Sequence, residues 1–575
     1  MRLFFGLLFV LILTGCFSNN PYPVAEWNQN YYYTAFEGIP KHLDPARSYS
    51  SDEYELIANV YEPPFQFHYL KRPFALDPLS VREIPAPEYS GDKVIYTFRV
   101  KPGIRYQNHP CFAKGADGKP LYTNLQDADL KPIERPDDFA ETGTRELVAE
   151  DFAYAIKRLA LPSVECPIFP TLAGVIDGYA EFQETLRQEV EAEREKRKKT
   201  GGLRYQKESD ETLRPILPDL EKKSFPGLRV VDRRTFQIIL NRKYPQLLFW
   251  MTLPFFSPVP PEAIRFYSQP ALIKKGLDLA HWPVGTGPYR FERFEPNRRI
   301  ILTRNENFDH ETYPVEGESS DRTNGFLADA GKKLPFIDKI ILMYEKEDIP
   351  RWNKFLQGYY DASGISADNF DHVIQFQGNE PAVQELFQKK GIELATEVAS
   401  SISYWGFNML DPVVGGYTPA KQKLRQALSI AIDTEDFLQI FANGRGISAM
   451  GPLPPGIPGF EESGMNVVVY EGSPKAPVRR SLAEAKQLLA EAGYPGGVGK
   501  DGPLVLHFDG TFTGPGSQSL MVWFRKQFDK LNIQLEFRNT TYRQFQEKME
   551  KGTGQIFRWG WNADYPDAEN FFFLL

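Results

Sequence analysis

The sequence predicts a multi-domain α/β protein, and three observations carry that expectation. A chain of 575 residues exceeds the size at which one hydrophobic core keeps growing, so two or more domains are expected. Beyond about residue 345, strand-like segments alternate with well-patterned helices at residues 421–432, 482–492 and 518–531, which marks a layered α/β architecture. The composition is that of a folded body, with 42% hydrophobic and 25% charged residues, 44 Gly and 46 Pro, near the globular average and far from disordered levels.

The elements follow in chain order. Residues 26–36 are aromatic and β-prone, and Leu43-Asp44-Pro45 marks a turn. Residues 53–61 place Tyr54, Ile57, Ala58 and Tyr61 at helical spacing and stop before Pro63-Pro64, since a residue before proline leaves the helical region. Val94, Tyr96, Phe98 and Val100 alternate as in a half-buried strand, which Lys101-Pro102-Gly103 turns. Residues 107–147 are polar, rich in Asp, Gly and Pro, and read as loop. Residues 148–161 form a helix, with Asp151 as N-cap or first-turn acid. Phe152, Ala155, Ile156 and Leu159 line one face, and Pro162 ends it. Residues 178–200 carry Glu184, Arg187, Glu191 and Arg194 at spacings of three and four, a solvated helix stabilised by local pairs rather than a nucleic-acid or partner arm. Residues 230–240 read as one strand with Phe236, Ile238 and Leu240 on one face. Residues 285–289 turn sharply into a strand at 290–294, and residues 300–303 and 339–344 are further strands. The chain ends on Phe571-Phe572-Phe573-Leu574-Leu575. Five bare hydrophobes would leave an exposed patch, so a truncated sequence is the expectation.

The first residues carry a different message. Met1-Arg2, an apolar run from Leu3 to Leu13 and Thr14-Gly15-Cys16 make an export signal: positive start, short apolar stretch, small-residue cleavage site. Extended through Phe17, the run is about 15 residues, short of the roughly 20 that span a bilayer. Leu13-Thr14-Gly15-Cys16 is similar to a bacterial lipobox, whose peptidase cuts before the cysteine and whose thiol carries diacylglycerol. That resemblance implies a signal peptide at residues 1–15, lipidation of Cys16, a bacterial source and a body in the periplasm or cell envelope, lipid-anchored to a membrane. An uncleaved anchor helix and an ordinary secretory signal are the other readings. A net charge of −8 argues against nucleic-acid binding, which needs a basic face. Cys111 and Cys166 remain. An even pair in an oxidising space is a disulfide candidate, with two buried free thiols as the alternative. No histidine cluster accompanies them, so neither a zinc site nor any other metal or cofactor is expected.

Catalytic patterns are not found. The seven histidines, His42, His68, His109, His281, His310, His372 and His507, are scattered, with no zinc helix and no nucleophile elbow. Gly497, Gly499 and Gly502 match dinucleotide spacing but follow a helix among Gly493, Pro495, Gly496 and Asp501, so they read as loop. An envelope hydrolase would need a nucleophile–base pair or a metal site, and neither pattern is present.

The densest polar cluster is Arg558-Trp559-Gly560-Trp561-Asn562-Ala563-Asp564-Tyr565-Pro566-Asp567. One reading is a buried aromatic strand ending in a capped turn. The other is a ligand cradle. Indoles give flat apolar walls, a fixed carboxylate grips an ammonium, and a guanidinium grips a carboxylate through paired bonds. A zwitterionic peptide presents both charges.

With this cluster the chain resembles the family 5 extracellular solute-binding proteins, which include dipeptide- and oligopeptide-binding components of ABC importers. The resemblance runs from about residue 30 to the end. Matching landmarks are Leu43-Asp44-Pro45, Tyr61-Glu62-Pro63, Tyr96 to Arg99 with Pro102-Gly103, and Ala149 to Phe152 with Lys157-Arg158. They continue through Gly285 to Tyr289, Arg304-Asn305-Glu306, Arg425 to Ala427 with Ala431 to Asp433, Ala485-Lys486 with Ala492 to Tyr494, and Ala563 to Asp567.

The resemblance implies a periplasmic-binding-protein-like fold (type II, class C), a two-lobed clamp with an additional domain. Domain I would be discontinuous, from residues 16–63 and about 225–344. Domain II would span about 64–224, with 112–147 and about 166–222 longer than the family pattern. Domain III would span about 345–575, its C-terminal part missing, because the family continues past the Ala-Asp-Tyr-Pro-Asp motif. The implied activity is binding, not catalysis. Asp564 would pair with a peptide amino terminus, Trp561 would line a side-chain pocket, Arg558 would meet the ligand carboxylate, and Gly560 and Tyr565 would complete the binding set. The implied partners are a peptide ligand, ABC permease and ATPase subunits, and a membrane through lipid on Cys16, with the chain itself a monomer. A nickel chelate or oligosaccharide in the same clamp, and a receptor or scaffold role without transport, stay open.

Overall fold

The computed structural model describes residues 20–366, 369–377, 380–512 and 516–575. Cys16 and the apolar segment before it lie outside the described residues. The chain divides into two compact units, one ending at Gly364 and the other spanning Ile365–Leu575. Among the described residues no helix is long and apolar enough to cross a membrane.

The first unit contains two four-stranded sheets. One places Tyr31–Phe36, Lys339–Tyr344, Arg299–Arg304 and Tyr289–Glu295 side by side in that order. Its first pair is parallel, with Tyr31 opposite Lys339, and the others are antiparallel. The start of the described chain is thus tied to a strand far along it. The second sheet, in the order Glu88–Ser90, Lys93–Arg99, Thr235–Leu240, Leu228–Asp232, is antiparallel throughout. Val94, Tyr96 and Phe98 are buried, as their alternation requires. Phe98 stacks on Phe236 at 4.9 Å, and Phe236 on Phe152 of helix Ala149–Leu159 at 5.1 Å.

That helix shows how local chemistry sets a boundary. Val148 is its N-cap, and Asp151 in the first turn accepts a hydrogen bond from the Val148 N–H at 3.1 Å. Helix Tyr179–Gly201 buries Tyr179, Phe182, Leu186 and Val190, and it carries the expected Glu184–Arg187 and Glu191–Arg194 pairs. The expected single strand at 230–240 is instead a hairpin. Asp232 accepts from the Arg234 N–H at 2.8 Å, an Asx turn that breaks the run. Residues 107–147 hold no α-helix and only isolated bridges among the described residues, yet bury Leu130, Ile133 and Phe139.

The expected bridge between Cys111 and Cys166 is not formed; both are buried free thiols. They occupy different surroundings. Cys111 lies near Glu262 and Arg145, whereas Cys166 lies near Asp44 and Arg158. Burial pushes the Cys111 thiol well up and the Cys166 thiol up to about 12, so neither supplies a thiolate near neutral pH.

The landmark glycines have a steric cause. Gly287 N–H donates to the Val60 carbonyl at 2.8 Å and Tyr289 N–H to the Asn59 carbonyl at 2.9 Å. A Cβ on Gly285 would lie 2.0 Å from the Val60 oxygen, so only glycine permits this approach.

The second unit is built on one four-stranded sheet, in the order Ser401–Phe407, Ile556–Asn562, Val505–Gly510, Gln534–Asn539. The first pair is antiparallel and the other two are parallel. Helix Gly516–Asp529 makes the crossover that parallel strands require. The core joins Leu424, Leu428, Leu489, Phe508, Phe524 and Ile556, so helices Pro419–Ala431, Leu482–Glu491 and Gly516–Asp529 pack on the sheet. Ser481 and Glu484 close a capping box at the start of Leu482–Glu491, at 3.2 and 2.9 Å.

Candidate functional site

The terminal strand Ile556–Asn562 carries the aromatic cluster, and its two sides differ. It pairs with Ser401–Phe407 along its whole length, from Ser401 opposite Asn562 to Phe407 opposite Ile556. On the other side it is registered with Val505–Gly510 only at Ile556 and Phe557. The bonds from Asn408 N–H to the Gln555 carbonyl and from Ala563 N–H to the Ser400 carbonyl, both 2.9 Å, fix the phase of the ladder. Residues 557, 559 and 561, the Gln555 carbonyl and the Ala563 N–H turn toward Ser401–Phe407. Alternate residues of an antiparallel strand turn the other way. Gly560 and Asn562 therefore direct N–H and C=O to a side where no strand among the described residues is registered with them. Such an edge is a template for an added extended chain. Gly560 is exposed and has no side chain to cover it.

A buried network braces the start of this strand. Asp509, 0% exposed, accepts from Lys548 and from the Gln555 N–H at 2.7 Å. The Gln555 side chain accepts from the His507 N–H at 2.6 Å and donates to Asp411 at 3.1 and 3.2 Å.

The side chains divide between the sheet faces, because successive residues of a strand point to opposite sides. Ile556 and Arg558 share the face of the helical core. The Arg558 guanidinium lies 5.3 Å from the centre of the Phe437 ring, a cation–π geometry. Burial pulls its pKa down, and no carboxylate among the described residues forms an ion pair with it. Phe557, Trp559 and Trp561 take the other face, where Trp559 meets Phe545 edge-on at 5.1 Å.

Trp561 and Asp564 are brought together by a residue that sequence reasoning missed. Asn570, 0% exposed, accepts from the Trp561 indole N–H and from the Asp564 backbone N–H, both at 2.9 Å. Its amide nitrogen donates to Asp564 Oδ2 at 2.8 Å. Asp567 accepts from the Glu569 N–H at 2.9 Å and caps helix Ala568–Phe572, which returns Asn570 beneath the strand. The carboxylate and the indole are thus oriented by one amide. Tyr565 is 1% exposed and donates to Glu569 at 3.2 Å, so it supports this turn from inside. The sequence signal for Asn570 was slight, an Asn three residues after a capping Asp.

A model of the bacterial extracellular solute-binding proteins, family 5 Middle, matches residues 85–575. The heme-binding protein A of Haemophilus influenzae is 25% identical over 365 residues, 62% of this chain and 55% of that protein. The dipeptide-binding protein of Escherichia coli is 24% identical over 359 residues, 60% of this chain and 55% of that protein. The chain therefore spans about half the length of these curated relatives. Among solved structures, the murein tripeptide binding protein MppA of Escherichia coli superposes with a TM-score of 0.61 at 18% identity, covering 95% of this chain and 82% of that one. The fold is α/β and periplasmic-binding-protein-like.

Proposed function

The chain belongs to the bacterial extracellular solute-binding proteins of family 5, and from that premise we propose that it captures short peptides for an ABC importer. The open backbone edge at Gly560 and Asn562, beside the oriented Asp564, carries this reading. An extended peptide laid on that edge is held through its main chain, which is independent of its sequence. Asp564 takes the amino terminus as a charge-assisted pair. Trp561 gives a flat wall for a side chain. Arg558, desolvated without a carboxylate partner, takes the far carboxylate. From Arg558 to Asn562 the strand advances about 13 Å, the length of roughly four extended residues.

Capture is a conformational equilibrium rather than bond chemistry. The two-lobed clamp and its additional domain are assigned to domain I at residues 16–63 with about 225–344, domain II at about 64–224, and domain III at about 345–575. Peptide favours the closed state only as far as it gains contacts there. The loaded protein delivers its cargo to a permease coupled to an ATPase. Lipid on Cys16 holds the monomer at the membrane.

The test is to denature the purified protein and identify released small molecules by mass spectrometry. A mixture of short peptides is the expected result. A single non-peptide solute, such as a haem, a nickel chelate or an oligosaccharide, would overturn the peptide assignment while leaving the binding fold in place.

A further inference from the structure

Helix Tyr179–Gly201 has two dissimilar halves. Its buried residues, Tyr179, Phe182, Leu186 and Val190, all lie in the first half. From Glu191 to the end, roughly 16 Å of helix at 1.5 Å per residue, no described side chain is buried. This part is held by the short helix Lys207–Leu213. Arg194 pairs with Glu191 and with Glu211, and Arg197 pairs with Glu193 at 3.2 Å and with Asp210 at 3.1 Å. The carboxylates between the helices are thereby committed to two arginines.

The turn beyond them keeps Lys196, Lys198, Lys199, Arg204 and Lys207, all exposed. Lys196 and Lys198 meet Glu193 and Glu195 at 3.3 Å, and exposed Glu208 follows Lys207, so part of this charge is offset locally. Lys199, Arg204 and Lys207 form no ion pair among the described residues. Lysines at a helix C-terminus also offset the helix dipole, but that dipole amounts to about half a charge, less than the three cations without an ion pair. Residues 196–207 hold six basic side chains and no acidic one, on a chain that carries −8 overall.

We propose that the tip docks the protein on the anionic headgroups of a phospholipid bilayer. Clusters of four to eight basic residues beside a membrane attract anionic lipid, with about fivefold in affinity per residue. A net acidic body is repelled by the same surface, which favours approach by this tip. The inference depends neither on the peptide assignment nor on lipid at Cys16.

The experiment reads the tip directly. In the full chain with Cys16→Ser, Thr200→Cys is labelled with an environment-sensitive fluorophore; the buried Cys111 and Cys166 do not compete for the label. The protein is mixed with phosphatidylcholine vesicles, with and without phosphatidylglycerol. The expected result is a blue shift only with phosphatidylglycerol, abolished by high salt. The charge reversal Lys198→Glu with Lys199→Glu should weaken it at least about tenfold with an unchanged circular dichroism spectrum. No shift, an equal shift on neutral vesicles, or a shift insensitive to charge reversal would overturn the proposal. Tighter binding to soluble polyphosphate than to the anionic vesicles would reassign the tip to a soluble polyanion.

Discussion

Two sets of charged side chains are held in opposite ways. In the unit ending at Gly364, charges close on one another. Asp44 and Arg158, only 7% and 9% exposed, form a two-pronged pair. Arg145 bridges Asp151 at 2.7 Å and Glu262 at 2.8 Å, and Glu62 meets His310 at 2.7 Å. On the terminal strand of the other unit, Arg558 lies on an aromatic ring and Asp564 is oriented by a neutral amide. Asp44, Glu62, Asp151 and Arg158 stand in sequence landmarks, as do Arg558 and Asp564, whereas Arg145, Glu262 and His310 do not. The first set reads as scaffold, and the second, with the backbone beside it, as the proposed peptide site.

The strongest way to break this comparison is at Asp44 and Arg158. Arg158→Met strands a buried carboxylate and should cost about 3–5 kcal/mol in urea denaturation, while the folded fraction binds peptide normally. A loss of peptide affinity with little loss of stability would place Arg158 in the binding set instead. A smaller effect is expected at Asn570, which holds Trp561 and Asp564 together. Asn570→Leu should cost about 1–3 kcal/mol of stability, and it should also weaken peptide binding by about tenfold as Asp564 and Trp561 lose their orientation. Unchanged affinity in a calorimetric titration would show that the amide does not position the site.

The smallest effect is a pH dependence. Burial works against a protonated His310, but the hydrogen bond and charge of Glu62 outweigh it and raise the His310 pKa. A group raised on folding stabilises fully below its unfolded pKa of about 6.5, and that contribution fades as pH rises through the higher folded value. His310→Gln should therefore flatten the decline of stability above pH 6.5. Asp44 acts in the other direction. Burial alone would raise its pKa, but Arg158 holds it below the ordinary carboxylate range, so its contribution is lost only as strong acid is approached. Substitutions at Arg558 should leave both limbs of the stability profile in place.

The sequence made the periodic elements readable. Helices Ala149–Leu159 and Leu482–Glu491 have caps and apolar faces that local chemistry alone specifies. The hairpin at Asp232 was hidden because Leu228–Asp232 and Thr235–Leu240 share β-prone composition, and only one Asx turn separates them. The cysteine pairing was not legible, since spacing says nothing about which buried neighbourhood each thiol enters. At the site, Trp561 and Asp564 stood out by residue type, whereas Asn570 did not. Its role comes from the capped turn that folds it back beneath the strand. The open edge at Gly560 and Asn562 is a property of register, which no single strand's sequence encodes.

The central claim is that Asp564 holds the amino terminus of a bound peptide. The most direct measurement is a paired titration of free-amine and N-acetylated forms of one peptide against the protein and its Asp564→Ala variant. The account predicts that the substitution weakens the free-amine peptide by about 2–5 kcal/mol and leaves the acetylated peptide nearly unchanged. An equal loss for both peptides, or no loss for either, would contradict it.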